Sequence, residues 1–560
     1  MEKKRAALGT DLLPKWRLNL GTYQSRVEAR IAAWERDHFA SRLWSKDPTL
    51  WSPGPVSELT DRLGWLELPE KMPEESKGLM AFAEKAKAEG IGQVALLGMG
   101  GSSMAAEIFQ ATFGNTEGYP QLVVLDSTHP ASVRAVETGC DLKRTLFIVS
   151  SKSGTTTETL SFFRYFWRRM GQVVKRPGHH FVAITDAGTP LDRLARGRGF
   201  RAVFNAPADV GGRYSALTVF GLVPAALIGV DLQSLLDQAR KMAEVSAFCV
   251  PVAHNPGLTL GATLGELALT GRDKLTLLTS PSLAPLPYWI EQLIAESTGK
   301  EGRGIVPIVD EPMGPPALYG ADRFFVYLRM AGDENSGVEG RLEALEAAGH
   351  PVVRFDLVER AELGQEFFRW EVAVAAAGAV LAIHPFNQPD VELAKELARK
   401  AMEREEGSER EAEILSGAQR EDIEQALKSW LKSSRPGDYI SLQAYLSPTP
   451  EVAEALQGIR LTLRDRRRVA TTSGYGPRFL HSTGQLHKGG PNTGLFLQLV
   501  DDPIEDLKIP ETDHSFGALI QAQALGDFQA LKQRGRRVLR VHLGRDVAGG
   551  LQRLADLLSI

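Results

Sequence analysis

Ten residues at 150–159, SSKSGTTTET, lie between the apolar run TLFIVS and the aromatic stretch LSFFRYFW. Small hydroxyl residues at the start of a helix offer side-chain and backbone donors together, and the helix N-terminus adds a field that favours an anion. A helix cap with its turn accounts for one or two hydroxyls, but not for Ser150, Ser151, Ser153, Thr155, Thr156 and Thr157 with Lys152 among them. Phosphate is the natural occupant. A glycine turn, GMGGSS at 98–103, opens earlier in the chain; a dinucleotide fingerprint would need glycine where Ser103 stands, so a turn whose backbone approaches a small sugar phosphate is the better reading. Two further stretches carry reactive side chains. In PADVGGRYSALTVFGL, Arg213 follows Gly211 and Gly212 and precedes an apolar helix. In WIEQLIAESTGKEG, Gln292 and Glu296 stand four apart on one helical face just before a glycine, where a carboxylate facing a cleft can serve as a base.

The elements that must position these residues follow from the apolar pattern. From about 75 to 205, strand-length apolar runs (QVALLGMG, QLVVLDS, RTLFIVSS, HHFVAITD, RAVFNAP) alternate with helical segments. Strands buried on both faces need continuous apolarity, so the pattern predicts a doubly wound parallel α/β sheet. Ligands in such a sheet sit outside the carboxyl ends of the strands, where SSKSGTTTET lies. KLTLLTS, RFFVYLRM and PVVRFDLV with the helices between them predict a second unit of the same kind. YISLQAYL, RVATTSG, GLFLQLV and RRVLRVHLG predict a last α/β portion with SFGALIQAQALGDFQALKQRG as a long helix. The expected organisation is a helical, Trp-rich N-terminal segment over 1–70 set against the main body, a first domain at 71–235 and a second at 236–388. A charged helical segment follows at 389–436, its most solvated stretch EREEGSEREAE, and then a C-terminal portion at 437–560.

Composition narrows the function class. The 560 residues are 43% hydrophobic and carry a formal charge of −4, with both signs interspersed, so no global field favours nucleic acid or a membrane surface. The basic stretch RLTLRDRRRV lacks the interleaved aromatics of a nucleic-acid platform. Two cysteines, Cys140 and Cys249, fit a reducing compartment. The start has the charge of a signal peptide but no apolar core behind it, and the longest apolar stretch, VAVAAAGAVLAI, is too short to span a bilayer. The expectation is a cytoplasmic enzyme or binding protein needing no metal or redox cofactor.

In this order, GMGGSS, SSKSGTTTET, GGRYSALTVFGL, QLIAESTGK and PFNQPDVELAK resemble phosphoglucose isomerase, most closely the isomerase half of bacterial transaldolase–glucose-6-phosphate isomerase fusions. The resemblance implies two sugar-isomerase-type, flavodoxin-like domains with the site in the cleft between them. It also implies interconversion of glucose 6-phosphate and fructose 6-phosphate, a place in glycolysis and gluconeogenesis, and a homodimer. Carried over by position, Ser151, Lys152, Ser153 and Thr156 bind phosphate, while Gly101, Ser102, Gly212 and Gln292 contact the sugar. Glu296 moves the proton between carbons 2 and 1, Arg213 steadies the anionic enediol, and Lys395 assists ring opening. In the family a ring-opening histidine follows the glutamate closely, in a motif like LHSMGQ. Here GIVPIVDEPMGPPALYG has no histidine, and LHSTGQLHKGGPNTG appears far downstream instead. His481 is therefore expected to supply the ring-opening group, with Glu158 as its candidate orienter and His487 and His384 as weaker candidates. Two alternatives stand: a non-catalytic sugar-phosphate sensor, for which the hydroxyl loop suffices, and an isomerase that also accepts mannose 6-phosphate.

Overall fold

A computed structural model describes residues 16–54, 56–403 and 420–559. Most of the charged stretch EREEGSEREAE lies outside the described residues. Three sheets organise the rest. The first contains β2 (Gln93–Gly98), β3 (Gln121–Leu125), β4 (Thr145–Ser150), β5 (Phe181–Asp186) and β6 (Ala202–Ala206), all parallel, in the order β3-β2-β4-β5-β6. The second contains β7 (Lys274–Thr279), β8 (Val306–Ile308), β9 (Arg323–Met330) and β10 (Val352–Leu357) in the order β10-β9-β7-β8. The third contains β11 (Tyr439–Tyr445), β12 (Ala470–Tyr475), β13 (Gly494–Val500) and β14 (Arg537–His542) in the order β12-β11-β13-β14. In the first and third sheets the first strand of the parallel set lies between the second and the third, which is the flavodoxin-like order. The α/β class read from the apolar runs is the one observed, and the central strands β4, β11 and β13 are buried along their whole length.

Two strands were not legible in the sequence. Val306–Ile308 is too short to read as a run. Trp16–Asn19, within the segment expected to be helical, forms β1 and pairs antiparallel with β10, Trp16 opposite Phe355. The N-terminal tryptophans do sit against the body: Trp34, Trp51 and Trp65 are buried, and the Trp51 indole N–H donates to the Ala375 carbonyl at 2.8 Å.

The helices that position the site are α1 (Thr157–Val173), α2 (Leu286–Thr298), α3 (Leu363–Val380), α4 (Glu392–Glu403), α5 (Gly484–Gly489) and α6 (Phe516–Gln533). One continuous apolar core joins the N-terminal segment, one face of the first sheet, the second sheet, α2 and α3. The third sheet has a core of its own. It meets the second sheet through a small apolar joint in which Ala295, Val306 and Ile308 face Tyr439, Ala470, Leu486 and Phe496.

Candidate active site

The switch point of the first sheet lies between β2 and β4, and both the glycine turn and the hydroxyl loop leave the sheet there. Thr156 precedes α1, but its hydroxyl makes no cap bond; it pairs at 2.8 Å with the Ser151 hydroxyl instead. The first N–H groups of α1 are thereby left uncapped, as an anion-binding helix start requires. The Ser153 and Thr155 hydroxyls pair at 2.9 Å. Lys152 donates at 2.6 Å to Asp186, so in this state its ammonium is engaged at the rim of the loop.

The glycine turn is shaped by close approaches. Gly100 has φ +52°, and a Cβ there would come within 2.6 Å of the His481 carbonyl oxygen; at Gly101 it would come within 2.1 Å of the Gly212 carbonyl oxygen. Both positions need glycine so that the turns from the first and third sheets can close on the Arg213 loop. Ser102 takes part through its carbonyl, which accepts from the Ser150 hydroxyl at 2.7 Å.

Arg213 is buried and saturated. It donates to the Ser297 hydroxyl (2.8 Å), the Gln388 side-chain carbonyl (2.8 Å), the backbone carbonyls of Pro385 (2.6 Å) and Asn387 (3.0 Å), and Glu296 Oε2 at 3.3 Å. Glu296 sits near the end of α2, where burial pushes its carboxyl above the usual range against the pull of Arg213, His481 and Lys300. A carboxylate with raised proton affinity is a better base. One turn earlier, Gln292 donates its amide to the His481 carbonyl at 2.8 Å, while its own buried carbonyl oxygen has no hydrogen-bond partner among the described residues. That oxygen is available to a substrate hydroxyl.

His481 lies on a short turn after β12. Its Nε2 is 3.0 Å from Glu158 Oε1, across 323 positions of chain. Burial pushes the Glu158 carboxyl up, but the charge and hydrogen bond of His481 outweigh it and hold Glu158 below the usual range. An ionised carboxylate in this place fixes the orientation of the ring.

A profile of the phosphoglucose isomerase family matches residues 71–315. A probable glucose-6-phosphate isomerase of Natronomonas pharaonis is 30% identical over 340 residues, spanning 55% of this chain and 78% of that protein. The chain belongs to the phosphoglucose isomerase family, and it is an isomerase. A glucose-6-phosphate isomerase of Parabacteroides distasonis is 29% identical over 407 residues, 63% of this chain and 90% of that one. The crystal structure of a hypothetical protein from Thermus thermophilus superposes with a TM-score of 0.60 at 26% identity, covering 69% of this chain and 99% of that one.

The family match ends before the third sheet, so His481 is supported by its displaced motif and by its 3.0 Å approach to Glu158. Lys395 does not join the cluster. It stands on α4, more than half exposed, with its ammonium held at 2.9 Å by Glu392 one turn before it; the PFNQPDVELAK match thus delivers the residue to an exposed helical face, from which its charge reaches Glu158. His384 is buried between the Ser57 carbonyl (3.0 Å) and the Phe386 N–H (3.1 Å), with burial lowering it to about 4. His487 is buried at 3.2 Å from the Gln443 amide, and burial with Lys488 and Arg536 lowers it well below the usual range. Neither is offered to the cleft.

Three site residues were missed. Gln388 accepts from Arg213; it lies inside PFNQPDVELAK, where the lysine drew attention away from it. Lys300 is buried with its ammonium on the His384 carbonyl at 2.6 Å, and burial and the charge of Arg213 drive its pKa well down. Gln523 on α6 donates to Glu158 at 2.6 Å. Behind the histidine turn, a small cavity of ≈ 20 Å³ lies between α2 and the third sheet, lined among others by Glu291, Gln443, Thr472, Thr483 and His487. Burial pushes Glu291 up to about 8, although Arg460 and Arg478 pull it down.

Proposed function

We propose that this isomerase, like the glucose-6-phosphate isomerases it is similar to, interconverts glucose 6-phosphate and fructose 6-phosphate, and that it does so by ring opening and enediol proton transfer. The observation that carries the reading is the meeting of Glu296, Arg213 and His481 around Gln292, which contacts both the base and the histidine turn. The phosphate is held by the hydroxyl loop and the first N–H groups of α1, so binding energy spent there holds the sugar while its other end is opened. His481, steadied by Glu158, gives a proton to the ring oxygen as its bond to carbon 1 breaks and the anomeric hydroxyl releases its own proton to water, leaving the open-chain aldehyde. Glu296 then removes the proton from carbon 2 and returns it to carbon 1, while the fixed charge of Arg213 steadies the oxyanion that develops between them. Lys395 is assigned a weak electrostatic role at Glu158 in place of a proton transfer.

The proposal extends to a cytoplasmic homodimer acting in glycolysis and gluconeogenesis on small sugar phosphates, without nucleic-acid or membrane partners. No described helix is long and apolar enough to cross a membrane. Incubation with fructose 6-phosphate in heavy water, followed by proton NMR, tests the activity. Glucose 6-phosphate carrying deuterium at carbon 2 is the expected product. Binding seen as line broadening, with neither product nor exchange, would favour a sensor instead.

A further inference from the structure

We propose that Gln523 is a positioning residue for ring opening: it locks the Glu158 carboxylate in the orientation that presents His481 to the substrate. Glu158 Oε1 has two partners, His481 Nε2 at 3.0 Å and the Gln523 side-chain amide at 2.6 Å. The Gln523 amide is itself oriented, because its carbonyl oxygen accepts from the Thr128 hydroxyl at 2.7 Å, which turns the NH₂ toward Glu158. Thr128, Glu158 and Gln523 are all buried, at 0%, 6% and 6% exposure, so no bulk water replaces a lost partner.

The four residues alternate between two bodies. Thr128 follows β3 and Glu158 lies on α1, both of the first sheet; Gln523 lies on α6 and His481 follows β12, both of the third. The site for Gln523 is built by its helix. Phe516 and Leu519 on α6 enter the core on the outer face of the first sheet, whereas Ile520 and Ala524 cluster with Phe479, two residues before His481. Gln523 stands four after Leu519 and three after Ile520, between the two apolar contacts, so its helical position aims it at their seam. A carboxylate with histidine as its sole partner can swing with the ring; a second charge-assisted donor anchored on the opposite body removes that freedom.

The inference rests on the ring-opening role given to His481, and the test separates the two. Turnover of glucose 6-phosphate, which is mostly cyclic, is compared with solvent-proton exchange into a four-carbon aldose 4-phosphate, which cannot close a furanose or pyranose ring. His481→Ala is expected to lose about a hundredfold on the hexose phosphate and to leave exchange into the tetrose phosphate nearly unchanged. Gln523→Met, similar in size but without the amide, is expected to lower kcat on the hexose about tenfold with KM within about twofold, again sparing the tetrose. Thr128→Val, which releases the anchor but keeps the donor, is expected to show the same split at about threefold. If His481→Ala splits the substrates and Gln523→Met and Thr128→Val both leave the hexose rate unchanged, or lower both substrates equally, the positioning inference is overturned and the ring-opening reading stands. If His481→Ala lowers both substrates equally, the reading fails and the inference falls with it.

Discussion

The first and third sheets share one strand order and yet serve the site by opposite means. The first gives loops: glycines that let turns approach, hydroxyls paired with each other, and the uncapped start of α1. The third gives one histidine on a short turn, backed by buried polar groups such as Gln443, Gln485 and His487. The first sheet shares a core with α2 and therefore with Glu296, while the third folds around its own core and meets the rest through a small apolar joint and polar crossings such as the Gln485 amide on the Gly299 carbonyl at 3.0 Å. Base and phosphate loop are thus set by one packing solution, whereas the histidine is set by a second solution and by how well the two dock. Damage at the joint should separate ring opening from proton transfer; damage in the shared core should not.

Four variants break or sharpen this contrast. Glu296→Gln removes the base held by the shared core and is expected to lower kcat on every substrate, cyclic or not, by about 10³- to 10⁴-fold, read by deuterium incorporation. His481→Ala acts on the docked body, and its expected loss of about a hundredfold on the hexose phosphate leaves exchange into a non-cyclising aldose phosphate standing. Glu291→Gln tests the joint itself. Because Glu291 is raised to about 8 when folded, the folded chain binds that proton more tightly than the unfolded one, and stability is lost as pH rises from the ordinary glutamate range to about 8. The glutamine variant has no such loss, so its advantage over the parent should grow from about pH 5 to about pH 8, reach on the order of 3 to 5 kcal/mol, and level off beyond, as denaturant melts at a series of pH values would report. An advantage independent of pH would show that Glu291 is charged in the joint. Lys395→Met should change kcat less than about threefold, because an exposed pair within one helix contributes little; a loss above about tenfold would restore the lysine to ring opening.

Legibility in the sequence followed the same divide. Strands such as TLFIVS were plain because burial on both faces demands unbroken apolarity, and the hydroxyl loop was plain because no cap needs so many hydroxyls. Arg213, Gln292 and Glu296 were nameable from local motifs, and their mutual distances agree with the grouping. His481 was located only by a displaced motif. Gln523 left no signal, being a single polar residue in a helix that reads as plain amphipathic, and Lys300 closes the quoted motif QLIAESTGK but was passed over because its partner lies far away in the chain. Lys395 was named from its motif, and a motif does not say which helical face carries it: the structure puts it on an exposed face of α4, paired with Glu392.

The four residues of β1 have a role apart from catalysis. By pairing antiparallel with β10, with Trp16 stacked on Phe355, they occupy what would otherwise be the open margin of the second sheet. β10, VVRFDL, is buried over most of its length, and without that cover it would offer a row of free N–H and C=O groups to any other extended chain. A chain lacking β1 would keep every site residue named above, and its characteristic failure would be self-association through that margin, so solubility and not turnover is what this short strand protects.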